Sequence, residues 1–566
     1  MLQSGWPTRL AAILLAIAGA ACHDTVKPGP SEGGLSQLGV AYVCGNDFDV
    51  QNHGTTALTV HYAVLGTAED GELALPARSD SIESTTRLTT LRAGGLQISY
   101  GDEKMFPVAN ASTPCPPPAS APQPQATIGE WSLPFPWPVV AVHLHLLPSG
   151  RVLSWGRLGA PQVWEPASGE FSEIPSSTMV FCSGHTFLPD GRLLVAGGHL
   201  DDERGLADAN IFDGASQTWL PVPPMRQGRW YPTTTTLPTG EILTLGGRDE
   251  QGAEVEVPEL WSGNAWRALS GARRALPYYP RTFVAPNGLV FYAGELQQTG
   301  YLDPTGLGKW TAVASSNYGR RDYGSAVMYS PGKVMIVGGS DPPNGAPTNT
   351  AELIDLNQPG PVWRYTEPMT YPRRQFNATL LPDGEVLVTG GTSSAGFTDP
   401  SGAVHTAEVW NSSTEQWSAL ASGAVTRVYH STTLLLPDGR VLHTGSGDGP
   451  GIPRQLNAEL FSPPYLFQGA RPSSGPAPGV LTYGEQFFIP TPDAGRVVRV
   501  TLLRLSSVTH AFDQSQRFLE LALRRTAGGL TVSAPASSSL APPGPYLLFL
   551  LNGNGVPSIA KVVRIK

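Results

Sequence analysis

The segment His185–Gly198, HTFLPDGRLLVAGG, carries an apolar β-prone run into Pro-Asp-Gly and returns through a second apolar run to Gly-Gly. Two such runs around a Pro-x-Gly turn mark a tight antiparallel hairpin. Six further segments repeat the pattern: HLLPSGRVLSWG, TTLPTGEILTLGG, FVAPNGLVFYAGE, VMYSPGKVMIVGG, TLLPDGEVLVTGG and LLLPDGRVLHTGSG. Their turn glycines are Gly150, Gly240, Gly288, Gly332, Gly384 and Gly439; counting Gly191, successive turns stand 41 to 55 residues apart. A unit of that size cannot bury both faces of its small sheet alone, so the units must stack on one another.

That period predicts an all-β chain built around a seven-bladed kelch-type β-propeller, with its central channel as the place for chemistry. Seven units take up about 340 residues, so a chain of 566 has room for two smaller domains. The composition agrees: charged residues are only 15%, with 64 Gly and 54 Pro, as short strands and tight turns require. The net charge of −9 is dispersed and forms no basic stripe, which argues against nucleic-acid binding.

Residues 1–21 read as a secretory signal, with Arg9, an apolar run and then small residues. Cys22 follows Ala-Gly-Ala-Ala, similar to a bacterial lipoprotein cleavage box, but Gly19 stands where Leu is usual. Lipid anchoring and plain cleavage both stay open. The expected location is outside the cytoplasm of a bacterium: periplasmic, at the cell surface or secreted. Residues 22–37 read as a tether, 38–116 as an N-terminal β-sandwich and 117–125 as a Pro-rich linker. The propeller is expected over 126–467 and a second, immunoglobulin-like β-sandwich over 468–566. Trp219, Trp266, Trp310, Trp363, Trp410 and Trp417 recur in the outer parts of the units as packing residues. Export makes a Cys44–Cys115 disulfide plausible and leaves Cys182 unpaired. The chain is expected to be a monomer.

Three local sequences stand apart from the repeat: Phe181-Cys182-Ser183-Gly184-His185, Arg229-Trp230-Tyr231-Pro232-Thr233 and Arg427-Val428-Tyr429-His430-Ser431. Each precedes the first run of its unit, so all three would converge on one axis. Phenol and imidazole donors suit Cu(II). Adjacent Tyr429 and His430 face opposite ways on a regular strand, so sharing a metal requires a bent backbone there. The loop 507–516, SVTHAFDQSQ, is long enough to leave its own domain.

These motifs, with Thr-His followed by Gln and Arg, resemble the copper radical oxidases, the galactose oxidase and glyoxal oxidase group, over residues 126–566. The resemblance implies an oxidase that converts a primary alcohol or aldehyde with O2 into the oxidised product and H2O2. It implies one copper ion and a Cys182–Tyr231 thioether that carries the tyrosyl radical. Tyr231, Tyr429, His430 and His510 would hold the metal; Cys182, Tyr231 and Tyr429 would do the chemistry, Tyr429 as proton acceptor.

The chain departs from galactose oxidase where that family stacks a Trp on the thioether: here stand Gly246-Gly247-Arg248-Asp249. The motifs look closer to the glyoxal oxidase branch and its bacterial relatives. Trp230 and Tyr279 are candidate shields, although Trp230, next to Tyr231, is expected to face away from it. Arg281 and Arg374 are candidates for the pocket mouth or for surface ion pairs. His143 and His145 alternate on a strand without an evident third ligand, and core packing is the expectation for them. The competing reading is a non-catalytic propeller that binds glycan or protein at the cell surface.

Overall fold

The computed structural model describes residues 34–78, 84–105, 107–110 and 125–566. The signal segment, Cys22 and Cys115 lie outside the described residues. The chain divides into two compact units, Met1–Gln123 and Pro124–Lys566.

In the first unit, strands Leu38–Cys44, Asp47–Asn52 and Ser84–Thr89 form one sheet, and Asp70–Leu75, Leu58–Val64, Leu96–Tyr100 and Glu103–Lys104 another. Alternation puts Val50, Val60 and Ile98 into a shared core with Phe48.

The second unit begins with seven antiparallel sheets in chain order. Each first strand enters one of the Pro-x-Gly-type turns, whose glycines all adopt positive φ, from 74° at Gly332 to 95° at Gly191. That conformation clashes with a Cβ, which is why glycine recurs there. The first strands lie side by side through the series, from Gly184–Phe187 to Ser431–Leu435, and Ser431–Leu435 lies against His143–Leu146. His143 is hydrogen-bonded to His185, and Ser507–Thr509, paired with His143–Leu146, also touches Gly184–Phe187, so the series closes on itself. Its last sheet is completed by Glu130–Trp131, which pairs with Asn457–Ser462 from the far end of the series. Four sheets carry a buried pair between an Arg before the first strand and a Glu on the third: Arg229–Glu259, Arg321–Glu352, Arg373–Glu408 and Arg427–Glu459.

After residue 470 a five-stranded and a three-stranded sheet enclose a core around Leu502, Leu530 and Leu548. One excursion leaves this pair of sheets. Ser507–Thr509 pairs antiparallel with His143–Leu146, with His143 opposite Thr509 and His145 opposite Ser507. The C-terminal sheets thereby send a hairpin alongside the innermost strands.

Candidate metal centre

The site is assembled by a repeated backbone device. Cys182, Tyr231, Tyr279 and Tyr323 each sit two residues before a first strand, and all have positive φ: 63°, 64°, 46° and 51°. His430 (68°), directly before Ser431–Leu435, and His510 (45°), at the hairpin tip, do the same. A non-glycine residue held there costs on the order of 1–2 kcal/mol, and such strain clusters at functional sites. The left-handed kink at His430 supplies the bend that two adjacent ligands require. It stacks the Tyr429 and His430 rings at 3.7 Å between centroids.

The side chains named from sequence meet. The Tyr231 and Tyr429 hydroxyls are 2.8 Å apart, and His510 Nε2 lies 2.9 Å from the Tyr231 hydroxyl. The His430 and His510 rings are edge to face at 4.7 Å. His430 Nδ1 donates to the Gly447 carbonyl at 2.7 Å, which leaves Nε2 as a lone-pair donor, buried and without a partner. Thr509 Oγ1, 2.6 Å from His510 Nδ1, orients the other imidazole. The thiol of Cys182, fully buried, interacts with the Tyr231 phenol and the Trp230 indole.

Burial dominates the electrostatics. It pushes His430 down to about 3 and His510 well below the usual imidazole range, and it raises Tyr231, Tyr429 and the Cys182 thiol. All five groups are thus neutral near pH 7, a set of two imidazole nitrogens and two phenol oxygens. Among the described residues no group of three His, Cys, Asp or Glu is arranged to hold a metal; this set relies on its phenols instead. Neutral imidazoles, an orphaned buried nitrogen and two phenol oxygens fit a Cu(II) ion, whose binding would expel phenolic protons.

The expectation for Trp230 is corrected by the structure. Its indole stacks on Tyr231 at 3.6 Å and 10°, because the left-handed Tyr231 breaks the alternation that would separate neighbouring side chains. Trp230 Nε1 donates to His199 Nδ1 at 3.2 Å. Tyr279 lies on the Tyr231 ring at 4.8 Å and 29°. Arg248 instead donates to the Tyr278 hydroxyl at 2.6 Å, and Asp249 accepts the Gln251 and Ala253 amides of a turn.

Above the phenols opens a cavity of about 290 Å³, with Tyr429 and His510 at its floor and Tyr278, Tyr323 and Phe397 among its walls. Arg281 lines it, held by the Tyr279 and Gly324 carbonyls. Arg374 does not: it is fully buried and braces Asp322, which does line the cavity. Neither arginine is in a surface pair. Glu295, buried between Arg281 and Arg320, completes a charged wall.

Beneath the site, sequence reading missed His185. His143 Nε2 accepts the Cys182 amide at 3.0 Å, and its Nδ1 is 2.9 Å from His185 Nε2. His185 Nδ1 is 2.7 Å and His145 Nδ1 3.0 Å from Ser507 Oγ. Three buried imidazoles thus tie the Cys182 backbone to the inserted hairpin. The signal was present: His185 sits in the same motif as Cys182, on the sheet next to that of His143.

Residues 345–465 match the family model described as glyoxal oxidase N-terminus, and 471–565 the galactose oxidase-like, early set domain. An aldehyde oxidase of Vitis pseudoreticulata is 30% identical over 437 residues, 69% of this chain and 82% of that protein. A galactose oxidase of Gibberella zeae is 28% identical over 491 residues, 78% of this chain and 71% of that protein. The solved structure of a fungal alcohol oxidase in complex with copper superposes with a TM-score of 0.72 at 25% identity, covering 78% of this chain and all of that one. Kinked donors converging beneath a cavity, together with these likenesses, lead to one conclusion: the chain belongs to the copper radical oxidases, the galactose oxidase and glyoxal oxidase group.

Proposed function

We propose that the chain is an extracytoplasmic copper radical oxidase that oxidises a primary alcohol or aldehyde with O2 and releases H2O2. In this reading the seven sheets are the blades of a kelch-type propeller, and the hairpin bearing His510 runs up its channel. One observation carries it: the Tyr231 and Tyr429 hydroxyls, His510 Nε2 and the orphaned His430 Nε2 gather around one point, with the Cys182 thiol against Tyr231.

Copper would be held by Tyr231, Tyr429, His430 and His510, and would supply one of the two oxidising equivalents. Tyr231, if joined to Cys182 by a thioether, would store the second, because a sulfur substituent eases oxidation of a phenol. Forming that bond removes the Cys182 S–H hydrogen and one ring hydrogen of Tyr231, with O2 accepting both. The Tyr429 hydroxyl lies between Tyr231 and the cavity and is placed to take the substrate's hydroxyl proton. Trp230 and Tyr279 cover the Tyr231 ring and keep water from it. The charged wall of Arg281, Arg320, Glu295 and Asp322 favours a polar, hydroxyl-bearing substrate.

Copper-loaded protein is examined by intact mass, peptide mapping and thiol titration under denaturing conditions, alongside a peroxide-coupled screen of alcohols and aldehydes. Loss of two hydrogens, a Cys182–Tyr231 linked peptide and peroxide release are expected. A Cys182 that stays titratable after copper loading, with no peroxide, would return the chain to the role of a binding scaffold.

A further inference from the structure

Among the described residues eight arginines are buried. Six face a buried or nearly buried carboxylate: Arg229, Arg281, Arg321, Arg373, Arg374 and Arg427, with Glu259, Glu295, Glu352, Glu408, Asp322 and Glu459. Arg504 and Arg517 form no ion pair among the described residues; the buried carboxylate of Asp513 feels the charge of Arg504 but not within contact distance. Arg504 spends its donors on the carbonyls of Pro542, Pro543 and Phe187 and on Thr236 Oγ1. Arg517 has a single carbonyl partner, that of Val284 at 2.8 Å, while its Nη1 is buried and unpartnered. Burial, with the nearby charge of Arg504, lowers Arg517 to about 10.

Both line a cavity of about 20 Å³ on the hairpin that carries His510. On this measure about 10–15 Å³ holds one water, so there is room for one small solute. Gln514 lines the same space. Its Oε1 is committed to the amides of His185 and Thr234, and its Nε2 is a second buried donor without a partner. Asp513, the neighbouring carboxylate, accepts the amides of Ser507 and Ser515 and forms no ion pair. A buried charge needs a counter-charge or a full set of hydrogen bonds, and Arg517 has neither.

We propose that this cavity binds a halide-sized monovalent anion, held by Arg517 Nη1 and Gln514 Nε2 and neutralising the Arg504–Arg517 pair. The anion would pin the base of the hairpin, since Gln514 and Arg517 follow His510 on it. Gln516 Oε1, an unpartnered acceptor on the same wall, makes water the competing occupant.

The test is diffraction from copper-loaded protein crystallised with bromide in place of chloride, with anomalous data at the bromine edge and at a long wavelength sensitive to chlorine. The second wavelength detects chloride trapped during folding. A peak between Arg517 and Gln514 at either wavelength is expected, together with its loss in Arg517→Gln. A halide on the copper would appear near Tyr429, at a separate position. Water density in the cavity without an anomalous peak at either wavelength overturns the proposal, and the wild-type data alone decide it if the variant does not fold.

Discussion

The indole of Trp230 lies parallel to the phenol of Tyr231, 3.6 Å away and inclined by 10°. Two consecutive residues achieve this only because Tyr231 is left-handed, at φ 64°. The same strain that turns the phenol inward brings its neighbour down as a cover. Replacing Trp230 by Phe removes part of the stacked surface and the hydrogen bond to His199, worth together on the order of 1–2 kcal/mol. The expected result is a normal Cys182–Tyr231 cross-link with a shorter-lived radical, read from its optical and electron-paramagnetic signals. An unchanged lifetime would assign the shield to Tyr279 instead.

Tyr429→Phe keeps the ring that stacks on His430 but removes an oxygen that is both one of the four proposed copper donors and the group placed to accept the substrate proton, so copper content is measured beside turnover. General-base loss lowers turnover by about 10²–10⁴-fold. The cross-link, which involves Tyr231 and Cys182 only, is expected to form still. Peptide mapping beside steady-state peroxide assays separates the two outcomes.

His143 accepts the amide of Cys182 from below. His143→Phe leaves that buried N–H unsatisfied, a cost of about 1–3 kcal/mol, and frees the thiol's backbone. Thermal stability should fall, and thiol loss after copper addition should slow. His143→Gln, which can still accept, should recover much of the maturation rate.

His443 gives a pH prediction away from the metal. Burial holds its imidazole well below the usual range, beside Trp131. Its folded value lies below the unfolded one, so the native state binds fewer protons, and the histidine's contribution to stability is present above the unfolded value and lost as pH falls below about 6.5. Between pH 7 and pH 5 His443→Gln should therefore gain about 2 kcal/mol relative to wild type, measured by denaturant unfolding at both values. Parallel curves would show that His443 does not set the acid limit.

The repeated Pro-x-Gly turns announced the sheets in the chain itself, because a two-residue constraint with a left-handed glycine is local physics. Cys182, Tyr231, Tyr429 and His430 were legible for a related reason, because their motifs depart from the repeat; His510 was legible from a loop long enough to leave its own domain, in a Thr-His motif shared with the family it resembles. The orientation of Trp230 was not. Strand alternation predicts it facing away, and only the left-handed kink of the next residue reverses it, with Tyr278 edge-on to both rings and Tyr279 over Tyr231. His185 escaped because its partners His143, His145 and Ser507 come from a neighbouring sheet and from a hairpin more than three hundred residues on.

By itself, then, the chain determined the sheet period, the turns and the list of chemically able side chains, all of which depend on neighbours in sequence. Tertiary structure decided which of them face one another. The closing of the series brings Ser431–Leu435 against His143–Leu146, and the inserted hairpin delivers His510 to Tyr231. Those contacts depend on how distant strands register under a shared burial constraint, a quantity no local stretch contains.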